Sequence, residues 1–125
     1  MDEHPNATIL RELADKMATG DMEAGLAVLD DDVEWHEIGA AEPTRGKPAL
    51  AQRIAEAQGD FQIEATTHDI VANDEHAVQL LDVTARRGDR TLQYRTAEIY
   101  HMKDGKVTAR WAFSDDTARI VEFFG

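Results

Sequence analysis

A few side chains stand where proton chemistry is feasible. Glu37 ends the run Val33-Glu34-Trp35-His36-Glu37, which alternates like a strand. Side chains alternate across a strand, so Val33, Trp35 and Glu37 should share one face, with Glu34 and His36 on the other. A desolvated carboxylate beside Val33 and Trp35 would suit a general base. The plainer reading puts Glu37 at a solvated strand end, or pairs it with Arg95 or Arg110. His101 has the parity of Arg95, Ala97 and Ile99. If that set lines an interior, His101 can shuttle protons or hold a carbonyl oxygen. Tyr94, Thr96, Glu98, Tyr100 and Met102 would then face outward, where their Tyr and Met content suits contact between two copies. Asp115 is either an acid/base group or a helix N-cap. Trp35 and Trp111 are expected as pocket walls whose indole N–H groups can reach a ligand oxygen. Arg95 and Arg110 are candidate neighbours for a developing oxyanion.

The elements that must position these groups are legible from periodicity and turn residues. Ile9, Leu10, Leu13 and Met17 recur at helical spacing, with Asn6 or Thr8 as cap and Gly20 as stop. Asp21 caps a second helix. A strand follows over Val33–Ile38, then a loop over Gly39–Arg45. Pro48 opens a third helix whose stripe is Leu50, Ile54 and Ala57, closed by Gly59. Four strands then follow: Phe61–Ala72, His76–Arg86, Arg90–Met102 and Lys106–Phe113, the last pair joined by Asp104-Gly105. A short tail helix, capped by Ser114, Asp115 or Asp116, ends at Phe124. Helices on one face of an antiparallel sheet define an α+β domain spanning residues 1–125. A curved antiparallel sheet wrapped around the N-terminal helices leaves a conical hollow, which is a natural small-molecule pocket.

Composition narrows the partners. The 125-residue chain carries 25 acidic and 13 basic residues, a net charge of −12. It lacks the basic footprint of a nucleic-acid binder and the cationic surface that anionic membranes attract. It has no cysteine, which excludes disulfides and thiolate metal sites. His36, His68, His76 and His101 match no ligand spacing, so no metal is expected. No apolar run suggests a membrane span and the N-terminus does not read as a secretion signal, so a cytoplasmic protein is expected.

Four stretches in this order carry a family resemblance: "GDMEA" (20–24), "DDDVEWHEIG" (30–39), "EPTRG" (42–46) and "DGKVTARWAFSDD" (104–116). The chain resembles the nuclear-transport-factor-like (cystatin-like) superfamily, and within it the SnoaL-like polyketide cyclases and the ketosteroid isomerases. The resemblance implies the conical fold of that superfamily over nearly the whole chain. It places Glu37 where the isomerases carry their general base. It also places Leu13 at their oxyanion tyrosine, and Ala97, or Glu98 one residue on, at their protonated aspartate. That oxyanion hole is not reproduced, so steroid isomerisation is set aside. Against the cyclases, Trp111 and Asp115 match W-x-x-x-D, and His101 precedes Asp115 by 14 residues. The resemblance implies His101 and Asp115 as an acid/base pair and a homodimer as the assembly.

The leading expectation is cofactor-free removal of a proton next to a carbonyl in an apolar small molecule, followed by reprotonation or cyclisation. Glu37 or Asp115 would be the base and His101 its proton partner. Trp35, Ala97, Ile99 and Trp111 would line the site beside Arg95 or Arg110. A non-catalytic ligand-binding or dimerisation module on the same fold is the alternative. An epoxide-hydrolase type, with Arg95 or Arg110 between Asp82 and Asp115 around a water, is third.

Overall fold

Helix α1 (Pro5–Ala18) turns Ala7, Leu10 and Leu13 into the core, and each Leu so buried contributes about 1.5–3 kcal/mol. It begins earlier than either expected cap allows: Pro5 opens it, and the His4 ring nitrogen Nδ1 accepts the Asn6 N–H at 3.1 Å. The Asn6 side chain is buried and donates instead to the carbonyls of Asn73 and Asp74 at 2.9 and 3.1 Å. This ties the helix to a distant turn. The computed structural model describes residues 3–58 and 61–125, with the side chains of 57 and 58 also outside what is described. The expected stop at Gly59 and the Ala57 stripe contact lie outside the described residues.

Asp21 caps α2 (Met22–Leu26), as its side chain accepts the Ala24 N–H at 3.2 Å. Strand β1 runs Leu29–His36, so it starts before the expected Val33 and stops before Glu37. Its early start follows from Leu29, which is fully buried and pairs with Val107. The acidic run Asp30–Asp32 is carried through an irregularity in that pairing, leaving Asp31 and Asp32 exposed. Residues Thr44–Arg45, expected as loop, form a two-residue strand β2 beside β1. Helix α3 is Lys47–Gln58. Strands β3 (Gln62–Ala72), β4 (His76–Arg87), β5 (Arg90–Lys103) and β6 (Lys106–Ser114) make a meander, and α4 is Thr117–Phe124. The α4 cap is Asp116, whose carboxylate accepts the Arg119 N–H at 3.2 Å.

The six strands order as β2-β1-β6-β5-β4-β3. The meander is antiparallel throughout, as expected, and β1 pairs antiparallel with β2 and parallel with β6. Irregularities in β3 near Thr67–Asp69 and in β5 at His101–Met102 bend the open sheet around the helices. The core side is set by β4, where Ala77, Gln79, Leu81, Val83 and Ala85 are all buried. Register then places Tyr94, Thr96, Glu98 and Tyr100 of β5 inward and Arg95, Ala97, Ile99 and His101 outward. This reverses the expected faces.

One core cluster gathers α1, α3, β1 and Tyr100, Met102 and Val107. A second joins Ile120 and Phe123 of α4 to Ala85 and Leu92, with Ile38, Phe61, Tyr94 and Phe124 around it. Helix α4 thereby packs across this end of the sheet, and Arg87 donates to the carbonyls of Phe123 and Gly125 at 3.3 and 2.9 Å. Gly39 lets the segment after β1 approach α4: its φ is +76° and an added Cβ would sit 2.3 Å from Val121 Cγ2. Gly39→Ala therefore should lower unfolding free energy by about 1–3 kcal/mol, read as a drop in the urea midpoint at unchanged slope.

Candidate functional site

The meeting of the two clusters is polar. Glu98, midway along β5, faces inward, and among the described residues it is the one buried carboxylate. Its oxygens accept from Thr96 Oγ1 at 3.2 Å, Tyr100 OH at 3.1 Å, and Arg110 Nε and Nη2 at 3.3 and 3.0 Å. Strand geometry supplies this set. Thr96, Glu98 and Tyr100 are successive inward residues of β5, and Arg110 of β6 pairs in register with Tyr100. Arg110 also donates from Nη1 to the His36 carbonyl at 3.2 Å and lies 4.5 Å from the Trp35 ring centroid. Trp35 meets Tyr100 edge-on at 6.3 Å.

Both members of the ion pair are 12% exposed at the side chain. Burial works against the Arg110 charge, but the Glu98 carboxylate and Tyr100 outweigh it, and the guanidinium holds its proton more tightly than usual. Burial, with Glu98 adding to it, pushes the Tyr100 hydroxyl far above the ordinary tyrosine range. Burial first and Glu98 second push Tyr94 up to about 12. Removing one partner of such a pair leaves a buried charge uncompensated, at a cost of about 3–5 kcal/mol. Chemically, the set offers a carboxylate in an aromatic wall and a guanidinium with N–H groups to spare for a ligand oxygen.

The residues expected to act are not all brought here. Trp35 and Arg110 are. Glu37 falls just past β1 in a turn, 34% exposed, and Arg53 of α3 grips both its oxygens at 3.1 and 2.9 Å. Its arginine partner is neither Arg95 nor Arg110, and the pairing raises the hold of Arg53 on its proton. His101, Ala97, Ile99, Arg95 and Trp111 stand on the outer face, so Glu37 and His101 share no cavity. There His76, His101, Trp111 and His36 form a row with ring centroids 4.7, 4.7 and 4.5 Å apart. Asp115 accepts the Arg95 N–H at 3.2 Å, and Arg95 contacts Asp82 at 3.3 Å. The Asp–Arg–Asp grouping thus assembles, along an outer groove of ≈ 500 Å³, but Arg95 is 79% exposed. Water there screens the field that a catalytic arginine needs. Among the described residues no group of three His, Asp or Glu could hold a metal ion.

Glu98, Thr96, Tyr100 and Tyr94, expected on the outward face, thus point inward. A signal for the correct face was present: Leu92 and Met102 bracket the even-numbered set, while Gln93 and Lys103 bracket the odd one.

Residues 10–110 match the family model described as a SnoaL-like domain. No curated protein matches the chain. Among solved structures, an NTF2-like protein of unknown function from Burkholderia pseudomallei superposes with a TM-score of 0.86 at 16% identity, covering 97% of this chain and 98% of that one. TerC co-crystallised with polyporic acid gives 0.82 at 18%, with 97% and 98% covered. An LEH-like epoxide hydrolase from M. tuberculosis gives 0.77 at 19%, with 89% and 83% covered. At these identities the likeness establishes the nuclear-transport-factor-like fold.

The two inward phenols give the fold an alkaline limit. A raised folded-state pKa means that the native chain keeps protons the unfolded chain has lost, so the stability involved is complete below about pH 10 and falls as pH rises through the folded values. Melting temperature should drop steadily from pH 9.5 to 11.5, and Tyr100→Phe should flatten that drop.

Proposed function

Because the chain belongs to the SnoaL-like family, we propose that its hollow binds an apolar small molecule bearing a carbonyl and removes a proton beside that carbonyl. The observation that carries the reading is Glu98, a carboxylate buried between aromatic rings and fixed by an arginine. Glu98 takes the proton, and the C–H electron pair moves into the carbonyl to form an enolate. The enolate oxygen accepts a hydrogen bond from Arg110, which has five N–H groups and uses three on Glu98 and His36. Glu98 returns the proton at another carbon, or the enolate carbon attacks a second carbonyl, whose π electrons move to its oxygen as the ring closes, and Glu98 returns the proton to that alkoxide. No cofactor enters either route. TerC, of like fold, was solved with a small molecule, which favours the hollow as a ligand site. The base role passes from Glu37 to Glu98 because Glu37 is half-exposed and clamped by Arg53.

A second reading, a binding module without turnover, is favoured by the donors that already occupy both oxygens of Glu98. The two separate in deuterium exchange. A panel of cyclic ketones in D2O, followed by proton NMR, should show α-proton exchange with wild-type protein and with Glu37→Gln, and a loss of at least about 100-fold with Glu98→Gln. Binding with no exchange by any variant would leave the module reading.

For the outer sheet face the partner we propose is a second copy. Leu80, Ala97 and Phe113 lie in register across three strands, and Phe113 is 54% exposed. Arg95 beside Asp82 and Asp115 gives the patch both signs of charge, which a two-fold axis can set against each other. The net charge of −12 opposes association, so added salt tightens it. Light scattering should give twice the chain mass for wild type in 0.3 M NaCl and the single-chain mass for Phe113→Asp.

A further inference from the structure

His76 of β4 and His101 of β5 stand directly opposite each other on the outer sheet face. The Met102 N–H donates to the Glu75 carbonyl at 2.8 Å, which makes His76 and His101 a non-hydrogen-bonded pair of the ladder. Side chains come closest in such pairs, with Cβ atoms about 4.5–5.5 Å apart. The two ring centroids lie 4.7 Å apart, with the rings nearly perpendicular at 89°. His101 is exposed and His76 half-buried, so both imidazoles can be reached from solvent. The backbone beneath them is held. The His76 N–H donates to Asn73 Oδ1 at 2.8 Å, and Asn6 of α1 fixes the Asn73 carbonyl. Thr108 of β6 donates to the His101 carbonyl at 3.2 Å. Two imidazoles are thereby presented side by side on anchored strands.

We propose that His76 and His101 chelate one divalent transition-metal ion, with Cu2+ preferred and water filling its other positions. Metal–nitrogen bonds of about 2.0 Å set at right angles need the two nitrogens about 3 Å apart. Rotation about the Cβ–Cγ bond, which is soft in histidine, swings a nitrogen of each ring toward that spacing without moving the strands. Two protein ligands are too few for the closed tetrahedral cage of a structural zinc ion. They suit a tetragonal ion that keeps water ligands, and among first-row divalent ions Cu2+ is the one such nitrogens bind most tightly. The charge nearby is mixed. Lys103 lies two residues along the same face, and Glu34, paired with Arg45, ends the row His76, His101, Ala109, Glu34. The imidazoles, and not a field of carboxylates, therefore hold the ion, so Mg2+ and Ca2+, which take oxygen ligands, are refused. Spacing along the chain hides the site, because its two ligands come from different strands.

Trp111 is a built-in reporter: its ring centroid lies 4.7 Å from that of His101, and bound Cu2+ quenches indole emission. Copper chloride titrated into the full chain near neutral pH should quench the tryptophan emission and saturate at one ion per chain, with the same stoichiometry by calorimetry. Magnesium chloride should leave the emission unchanged. His76→Gln and His101→Gln change outer-face side chains and should keep the wild-type circular dichroism. Each should weaken copper binding at least about tenfold, a loss common even for residues outside the ligand set. His68→Gln, on β3, should titrate as wild type. Neither quench nor heat in wild type overturns the site. Wild-type affinity in His76→Gln or in His101→Gln puts the ion elsewhere on the chain, at the terminal amine or another histidine, and overturns it equally.

Discussion

The Glu98–Arg110 pair is the constraint around which the interior is arranged. Two opposite charges removed from water are tolerable only if their remaining donors and acceptors are met. Here Thr96 and Tyr100 from β5 and the His36 carbonyl from β1 meet them, and the Trp35 ring faces the guanidinium. Each of those groups lies on a strand flanking the pair. The pair therefore fixes the register of β5 against β6 and the approach of β1 to β6. A one-residue slip would turn every inward side chain of β5 to the outside.

Polar groups set this deep also divide the core. On one side α1, α3 and β1 bury an aliphatic cluster, and on the other α4 buries an aromatic one. Between them the sheet presents tyrosines, a threonine, a carboxylate and an arginine. An interior meant only for stability would place aliphatic side chains there, because a well-packed apolar replacement for a buried ion pair is often as stable or more so.

Much of the architecture was legible in the sequence. Helical spacing in α1, the Asp21 cap, the Asp104-Gly105 turn and the four long strands follow from local rules, and the resemblance to the SnoaL-like family was carried by short stretches near turns. The faces of β5 were not legible in the same way. Tyr94, Thr96, Glu98 and Tyr100 alternate with Arg95, Ala97, Ile99 and His101, and both sets mix polar with apolar residues. Parity tells which residues travel together but not which set is inside. That is decided by β4, whose inward residues are all buried while Leu80 and Asp82 are exposed. Glu37 departs from its expected face for a different reason. Strand alternation ends at His36, and from Glu37 the chain already turns toward Gly39.

The parallel pairing of β1 with β6 brings together segments that are far apart in the chain, with Glu34 opposite Ala109. During synthesis Trp35 emerges 75 residues before Arg110, the cation it will face. At about 5–20 residues per second that gap lasts about 4–15 s. Throughout it β1 lacks its long neighbour, and its row of backbone donors and acceptors is open to other chains. The two-residue β2 pairs only with the opposite edge of β1, so the acidic run Asp30–Asp32 is what the waiting edge itself carries, and clustered negative charge disfavours pairing with another acidic strand.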